Sequence, residues 1–312
     1  MAISALPSLK TVFSLLKEIN LETIRQSSNE PFEIILTGEK ASLVAQHLES
    51  PRVRVGSDTQ HAGLKLYVLR SQAQKTYIQE EALSVSVLGE TKLGETKAVE
   101  NTFLPTSPNQ LVLSDWSQES IQNELLPVLL NRLPEHLQLG IARHVPLARS
   151  VYNKQLVDET SKANALYAAS TAFAEVIPVL NIPLNVADSI VLTKNQLVMA
   201  YKLALAAGKT GTPNSVMTEI IGVLGSGFLM RQAARSLVGL IPAWGALPKV
   251  AIAYAGTYLV GQGISAWLKD GQKLTERELK RFYSEALQQG KRIGKLKPSE
   301  QEKVEEEIGE EK

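Results

Sequence analysis

The sequence predicts two unlike parts in tandem, a small α/β domain followed by an all-α, hydrophobic helical bundle. Three observations predict it. Short β-rich runs separated by Gly and Pro are confined to residues before about 117, beyond which the pattern is helical and broken mainly by proline, at Pro127, Pro134, Pro146, Pro178, Pro183, Pro213, Pro242 and Pro248. Residues 250–268 run for nineteen positions without a charge, close to the length of a hydrocarbon core at about 1.5 Å per residue. At 312 residues, with 44% hydrophobic and 21% charged side chains, the chain is long enough and apolar enough for two buried cores.

Composition excludes several functional classes. Lys and Arg total 33 against 32 Asp and Glu, so no global field directs the chain to nucleic acid. The absence of cysteine removes disulfides, thiolate metal sites and cysteine nucleophiles. The four histidines, His47, His61, His136 and His144, have no paired or HExxH spacing, and no metal or other cofactor is expected. Residues 1–23 lack the basic stretch and apolar run of a secretory signal, which predicts residence on the cytoplasmic side.

The elements are read in order. Residues 1–29 form a lead-in, with Leu9, Val12, Phe13, Leu16, Ile19 and Ile24 at near-helical period over 8–24. The α/β domain covers 30–117: a strand over 32–37, a turn at Gly38, a helix over 39–48, and further strands over 64–69 and 110–113, read as neighbours in a parallel sheet. A weaker strand is read at 98–104. Residues 118–292 are the helical domain, in which 176–187 and 220–230 read as hairpin helices too short to span a membrane. Between residues 269 and 297 nine Lys or Arg face four acids, whereas 298–312 hold seven Glu against two Lys. Residues 293–312 are therefore expected to be a charged, disordered tail.

A strand, a Gly turn and a helix can cradle phosphate on the free N–H groups of the helix start. Gly38, Lys40 and Ser42 are the candidate phosphate contacts if nucleotide binds. Thr37-Gly38-Glu39-Lys40-Ala41-Ser42 nevertheless lacks the first glycine and the length of a P-loop, and Glu39 brings a negative charge to the turn. Leu113-Ser114-Asp115-Trp116 lacks the Asn and Lys of a guanine-specificity motif. The expectation is a degenerate P-loop or Rossmann-like domain without a working nucleotide site.

In the helical half, Asp188, Leu192, Asn195 and Met199 fall on one helical face, and Arg231 and Arg235 lie one turn apart. A buried Asp188 with Arg231 or Arg235 is expected as a structural ion pair. Trp267, Lys269, Lys273, Arg277, Lys280 and Arg281 directly follow or close the uncharged stretch, where an interfacial aromatic and basic residues would meet anionic headgroups. The competing reading is a charged surface helix in which Glu276, Glu278 and Glu285 pair with neighbouring bases.

Asp188-Ser-Ile-Val-Leu-Thr-Lys-Asn-Gln-Leu-Val-Met199, Arg231-Gln-Ala-Ala-Arg235, Leu240-Ile-Pro-Ala-Trp-Gly245 and Ala253-Tyr-Ala-Gly-Thr-Tyr258 resemble the YcjF-like family of membrane-associated helical domains, often joined to Era-type GTPase domains. The resemblance covers roughly residues 145–270. It implies a GTPase-like origin for residues 30–117 and a membrane-associated helical domain, and it implies no reaction. The expected function is a non-catalytic membrane-associated scaffold or remodelling protein with a pseudo-GTPase domain, on the cytoplasmic side, integral or peripheral. Membrane lipid is the expected partner, with a protein partner or a second copy also open and nucleic acid excluded. The alternatives are a GTP-binding regulator with an unorthodox phosphate loop and a soluble helical adaptor.

Overall fold

A computed structural model describes residues 9–56, 64–69, 83–87, 110–174, 184–225, 249–272 and 274–294. The fold is mainly helical, and the chain divides into two compact units: Gln26–Tyr152, and Met1–Arg25 together with Asn153–Lys312. Residues 1–25 of the lead-in therefore belong to the helical unit, and residues 26–29 and 118–152 to the α/β unit. The lead-in is two helices, α1 (Leu9–Glu18) and α2 (Leu21–Ser28). The break falls at Asn20, whose Oδ1 accepts from the Thr23 N–H at 3.2 Å and so starts the second helix.

In the α/β unit, β1 (Glu33–Thr37) runs through α3 (Ala41–Leu48) into β2 (Val53–Val55), its parallel neighbour. Ile34, Leu36, Ala41, Val44 and Leu48 are fully buried between strand and helix periods that match. With β3 (Leu64–Leu69), β4 (Leu83–Val87) and β5 (Gln110–Leu113), the sheet has the order β2-β1-β3-β4-β5. The parallel arrangement expected for 64–69 and 110–113 is corrected here. Strand β3 is antiparallel to both β1 and β4, and β5 pairs with β4 in parallel. Strand β4 was not anticipated, although Leu83-Ser-Val-Ser-Val87 alternates strictly with period two. The strand expected at 98–104 lies outside the described residues.

After β5 the chain turns helical through α4 (Gln118–Ser120), a π-helical turn (Ile121–Leu125) and α5 (Leu126–Asn131). The wide turn, closed by Leu126 N–H to Ile121 O, has a local cause: Pro127 has no N–H and its ring crowds the preceding turn. Ile121, Leu125, Leu126 and Leu130 are buried, as are Leu139 and Ile141 of α6 (Glu135–His144).

Beyond Tyr152, the helical unit is built from the rest of α7 (Pro146–Ala174), with α8 (Leu184–Ala206), α9 (Pro213–Gly225), α10 (Lys249–Asp270) and α11 (Glu276–Ile293). Helix α10 ends at Gly271, whose φ of 66° lets its N–H reach Trp267 O at 2.8 Å. The chain then reverses into α11, which opens with a capping box between Thr275 and Glu278. Val250, Tyr254, Ala255 and Leu259 of α10 bury against Leu279, Tyr283, Ala286 and Ile293 of α11 and against Ala165, Leu166 and Ala169 of α7. Among the described residues no helix is long and apolar enough to cross a membrane.

Small residues set how closely these helices approach. A Cβ on Gly290 would stand 2.7 Å from Ala251 Cα and 3.0 Å from Tyr254 Cβ, whereas one on Gly256 would meet nothing within 4 Å. Gly290→Ala should therefore force the two helices apart, costing about 1–3 kcal/mol as overpacking does. Gly256→Ala should instead stabilise the same hairpin by about 0.5–1 kcal/mol through helix propensity. Urea denaturation of the two variants checks this opposite pair of signs. Equal shifts of the midpoint would mean that Gly290 is not at a close contact.

Candidate functional site

The turn from β1 into α3 is made by only three residues, Gly38, Glu39 and Lys40. Gly38 takes a φ of 119°, which L side chains rarely adopt, and its carbonyl accepts from the Ala41 N–H at 3.2 Å. Lys40 stands at the N-cap without a side-chain cap bond, and Glu39 and Ser42 are exposed. The predicted phosphate contacts thus share one turn. That turn closes on itself, so an N–H which a phosphate loop would leave free is already bonded. At the end of β5, Asp115 is also engaged. Its Oδ1 accepts from Ser117 N at 2.8 Å and from Ser120 Oγ at 2.7 Å, while Ser117 caps α4 by accepting from Ser120 N. These bonds from Ser117 and Ser120 hold the carboxyl below its ordinary value. Asp115 is a helix-start residue, placed by capping.

Among the described residues of the helical unit, a polar constellation is buried among α7, α8 and α10. Asn164 and Thr257 are both fully buried. Asn164 Nδ2 donates to Thr257 Oγ1 at 2.8 Å and to Leu192 O at 3.4 Å, and Asn164 Oδ1 accepts from Asn195 Nδ2 at 2.8 Å. Gln196 Nε2 donates to the same Thr257 oxygen at 3.1 Å. Two turns from Asn164 along α7, Asp158 accepts from the Tyr254 hydroxyl and pairs with Lys162 Nζ at 2.8 Å. Burial, then the bond to Asp158, push the Tyr254 hydroxyl well above the usual phenol range, so it remains a donor.

This network supplies the partner that the polar face of α8 demanded. Asn195 meets a neutral amide, that of Asn164 on α7. The expected partners Arg231 and Arg235 lie outside the described residues, as does the environment of the Asp188 side chain, so the ion pair stays an expectation. Asn164 and Thr257 were not singled out from sequence, although Val157, Ser161, Asn164 and Ala168 repeat the i, i+4, i+7, i+11 spacing that marked α8.

The basic residues expected at a membrane fall on and around α11. Lys269, Arg277, Lys280 and Arg281 are exposed, and Lys273 lies outside the described residues. Lys280 pairs with Glu276 at 2.8 Å, and Arg281 stands 3.9 Å from Glu285 with its guanidinium over the Phe282 ring. Arg292, not anticipated, is exposed on the last turn of the same helix. Trp267 is half-buried beneath the Lys209 ammonium, 5.0 Å from its ring centre, and Lys209 also holds Glu219 at 2.5 Å. Compared with protein-family models, with curated proteins and with solved structures, the chain matches none.

The hydrogen-bond pattern makes Thr257 the hub. Thr257→Val keeps the shape and removes the acceptor, stranding the Asn164 and Gln196 amide donors. A loss of about 1–3 kcal/mol in the urea unfolding of the helical unit is expected. Thr257→Ser, which keeps the oxygen, should lose clearly less. If valine and serine are equivalent, the hub assignment is wrong.

Proposed function

We propose that the chain is a non-catalytic scaffold or remodelling component that docks peripherally on the cytoplasmic, anionic surface of a membrane, with a P-loop or Rossmann-like remnant as its α/β unit. The observation that carries this reading is the division of labour on α11. Leu279, Tyr283, Ala286, Gly290 and Ile293 are buried, while Arg277, Lys280, Arg281 and Arg292 are exposed, with Lys269 exposed at the end of α10. Because much of α10 is already buried within its own unit, attraction of a charged face to headgroups is favoured over deep insertion of 250–268. The YcjF-like motifs support the same assignment, as does the self-closed turn at Gly38 for a pseudo-GTPase.

Not every cation contributes equally. Glu276 and Glu285 offset Lys280 and Arg281, leaving Lys269, Arg277 and Arg292 as exposed charges without an ion pair among the described residues. At about 1 kcal/mol per basic residue near an anionic surface, replacing these three by Gln should weaken binding to anionic vesicles by at least about tenfold. The loss should be greatest at low salt, where the Debye length exceeds about 10 Å, and small on neutral vesicles. Sedimentation with vesicles measures it. Undiminished binding of the triple variant would return α11 to a solvated face, and no binding by the parent would favour the helical adaptor.

The α/β unit makes a separate prediction. Titration with labelled GTP and magnesium should show no saturable binding in the micromolar range, and Lys40→Ala should change nothing. Micromolar binding that disappears in Lys40→Ala would overturn the pseudo-GTPase reading in favour of a GTP-binding regulator.

A further inference from the structure

Positive φ is confined to glycine at Gly38, Gly208, Gly211 and Gly271, with Glu49 the exception among the described residues at a φ of 46°. Glu49 is the left-handed C-cap of α3, its N–H bonded to Ala45 O at 3.2 Å. Glycine is the usual residue at such a helix end, because a Cβ crowds the following carbonyl there. A glutamate in this conformation calls for a use of its side chain. The carboxylate makes no hydrogen bond or ion pair among the described residues. It lines an open cleft of about 260 Å³ with His47, Gln118, Gln122, Pro146, Leu147 and Ser150.

The cleft lies within the α/β unit, at the end of α3 remote from the Gly38 turn. One wall is braced by Gln122 Nε2 donating to Ser150 Oγ at 2.6 Å. Its volume falls just below the about 300–1,000 Å³ of sites for drug-sized ligands, and its lining lacks their predominantly apolar character. A space of this size holds roughly nine waters at about 30 Å³ each, about a monosaccharide. Among the described residues Glu49 is the only acid that lines it and no Lys or Arg does, so an ammonium finds a carboxylate there. Gln118 can both donate and accept, while Gln122 and Ser150, bonded to each other and with Ser150 donating to Leu147 O at 3.4 Å, keep acceptor capacity, which suits hydroxyl groups.

We infer that this cleft is a binding site for a small polyhydroxylated primary amine of the amino-sugar class, with Glu49 receiving the ammonium and Gln118, Gln122 and Ser150 the hydroxyls. The inference is independent of the membrane reading.

Titrate the full chain with D-glucosamine, and with D-glucose and N-acetyl-D-glucosamine as uncharged controls, following amide resonances. Saturable shifts around residues 47–49, 118–122 and 146–150 are expected for glucosamine, with affinity at least about tenfold above both controls. Glu49→Gln should reduce glucosamine binding to the level of the controls. Glu49→Gly should do the same while raising Tm by about 2–4 °C, because the left-handed cap then has no Cβ to crowd. That opposition of stability and binding is not expected of a residue kept for the helix end alone. No saturable response to glucosamine at about 10 mM, or equal affinity in parent and Glu49→Gln, overturns the inference. Should both Glu49 variants fail to fold, Gln118→Ala, at an exposed position, takes their place, and unchanged glucosamine affinity there overturns it equally.

Discussion

A carboxamide with no access to water must find every hydrogen bond inside the protein, and Asn164 is such a group at the centre of the helical unit. Its three bonds reach Thr257 on α10 and both Asn195 and the Leu192 carbonyl on α8. An apolar contact tolerates sliding, because dispersion is summed over many atoms and has no direction. A hydrogen bond does not. Displacing α8 or α10 by one residue along α7 would strand buried donors, at a cost far above that of a shifted leucine. The network therefore fixes the register in which three long helices pack, and the rest of the unit is built on that register.

One consequence is the placement of α11. With the Thr257 side of α10 turned towards Asn164, the side carrying Ala251 and Tyr254 receives Gly290 of α11. That contact orients the amphipathic helix, and its orientation decides which cations are exposed. Acidic neighbours then grade those cations: exposed pairs such as Lys280–Glu276 are worth little to stability, about 0.2–1 kcal/mol, yet they cancel charge that a headgroup would otherwise attract. Trp267 shows a related effect, since its ring is covered by Lys209. Of the pairings that the sequence raised as the competing reading, Glu276 and Glu285 each hold a base in the structure.

In the α/β unit, helix termini are occupied locally. Gly38 closes the start of α3, and Asp115 with Ser117 closes the start of α4. Both positions are where an α/β sheet offers N–H groups to ligands, and both groups are engaged by the chain itself. The polar opening that remains is at the other end of α3, where Glu49 holds a conformation better suited to glycine.

Sequence alone determined the division into a β-containing region and a helical remainder, because the periods of two and 3.6 and the positions of proline are local properties of the chain. It determined the β1–Gly38–α3 unit, the short loop that argues against nucleotide, and the charges on the last described helix. It also marked Asn195 as a polar group in need of a partner. Tertiary structure decided the rest. The reversal of β3, the insertion of β4 between β3 and β5, and the pairing of Asn195 with Asn164 all depend on segments far apart in the chain. Period two is the same for parallel and antiparallel strands, and a polar residue on a helix face shows that a partner is needed without saying which helix supplies it. Residues 250–268 carry the same lesson: small and weakly polar side chains are marginal for lipid and well suited to close helix packing. Only the neighbours at Val157, Asn164 and Gly290 show that much of this stretch is turned towards protein.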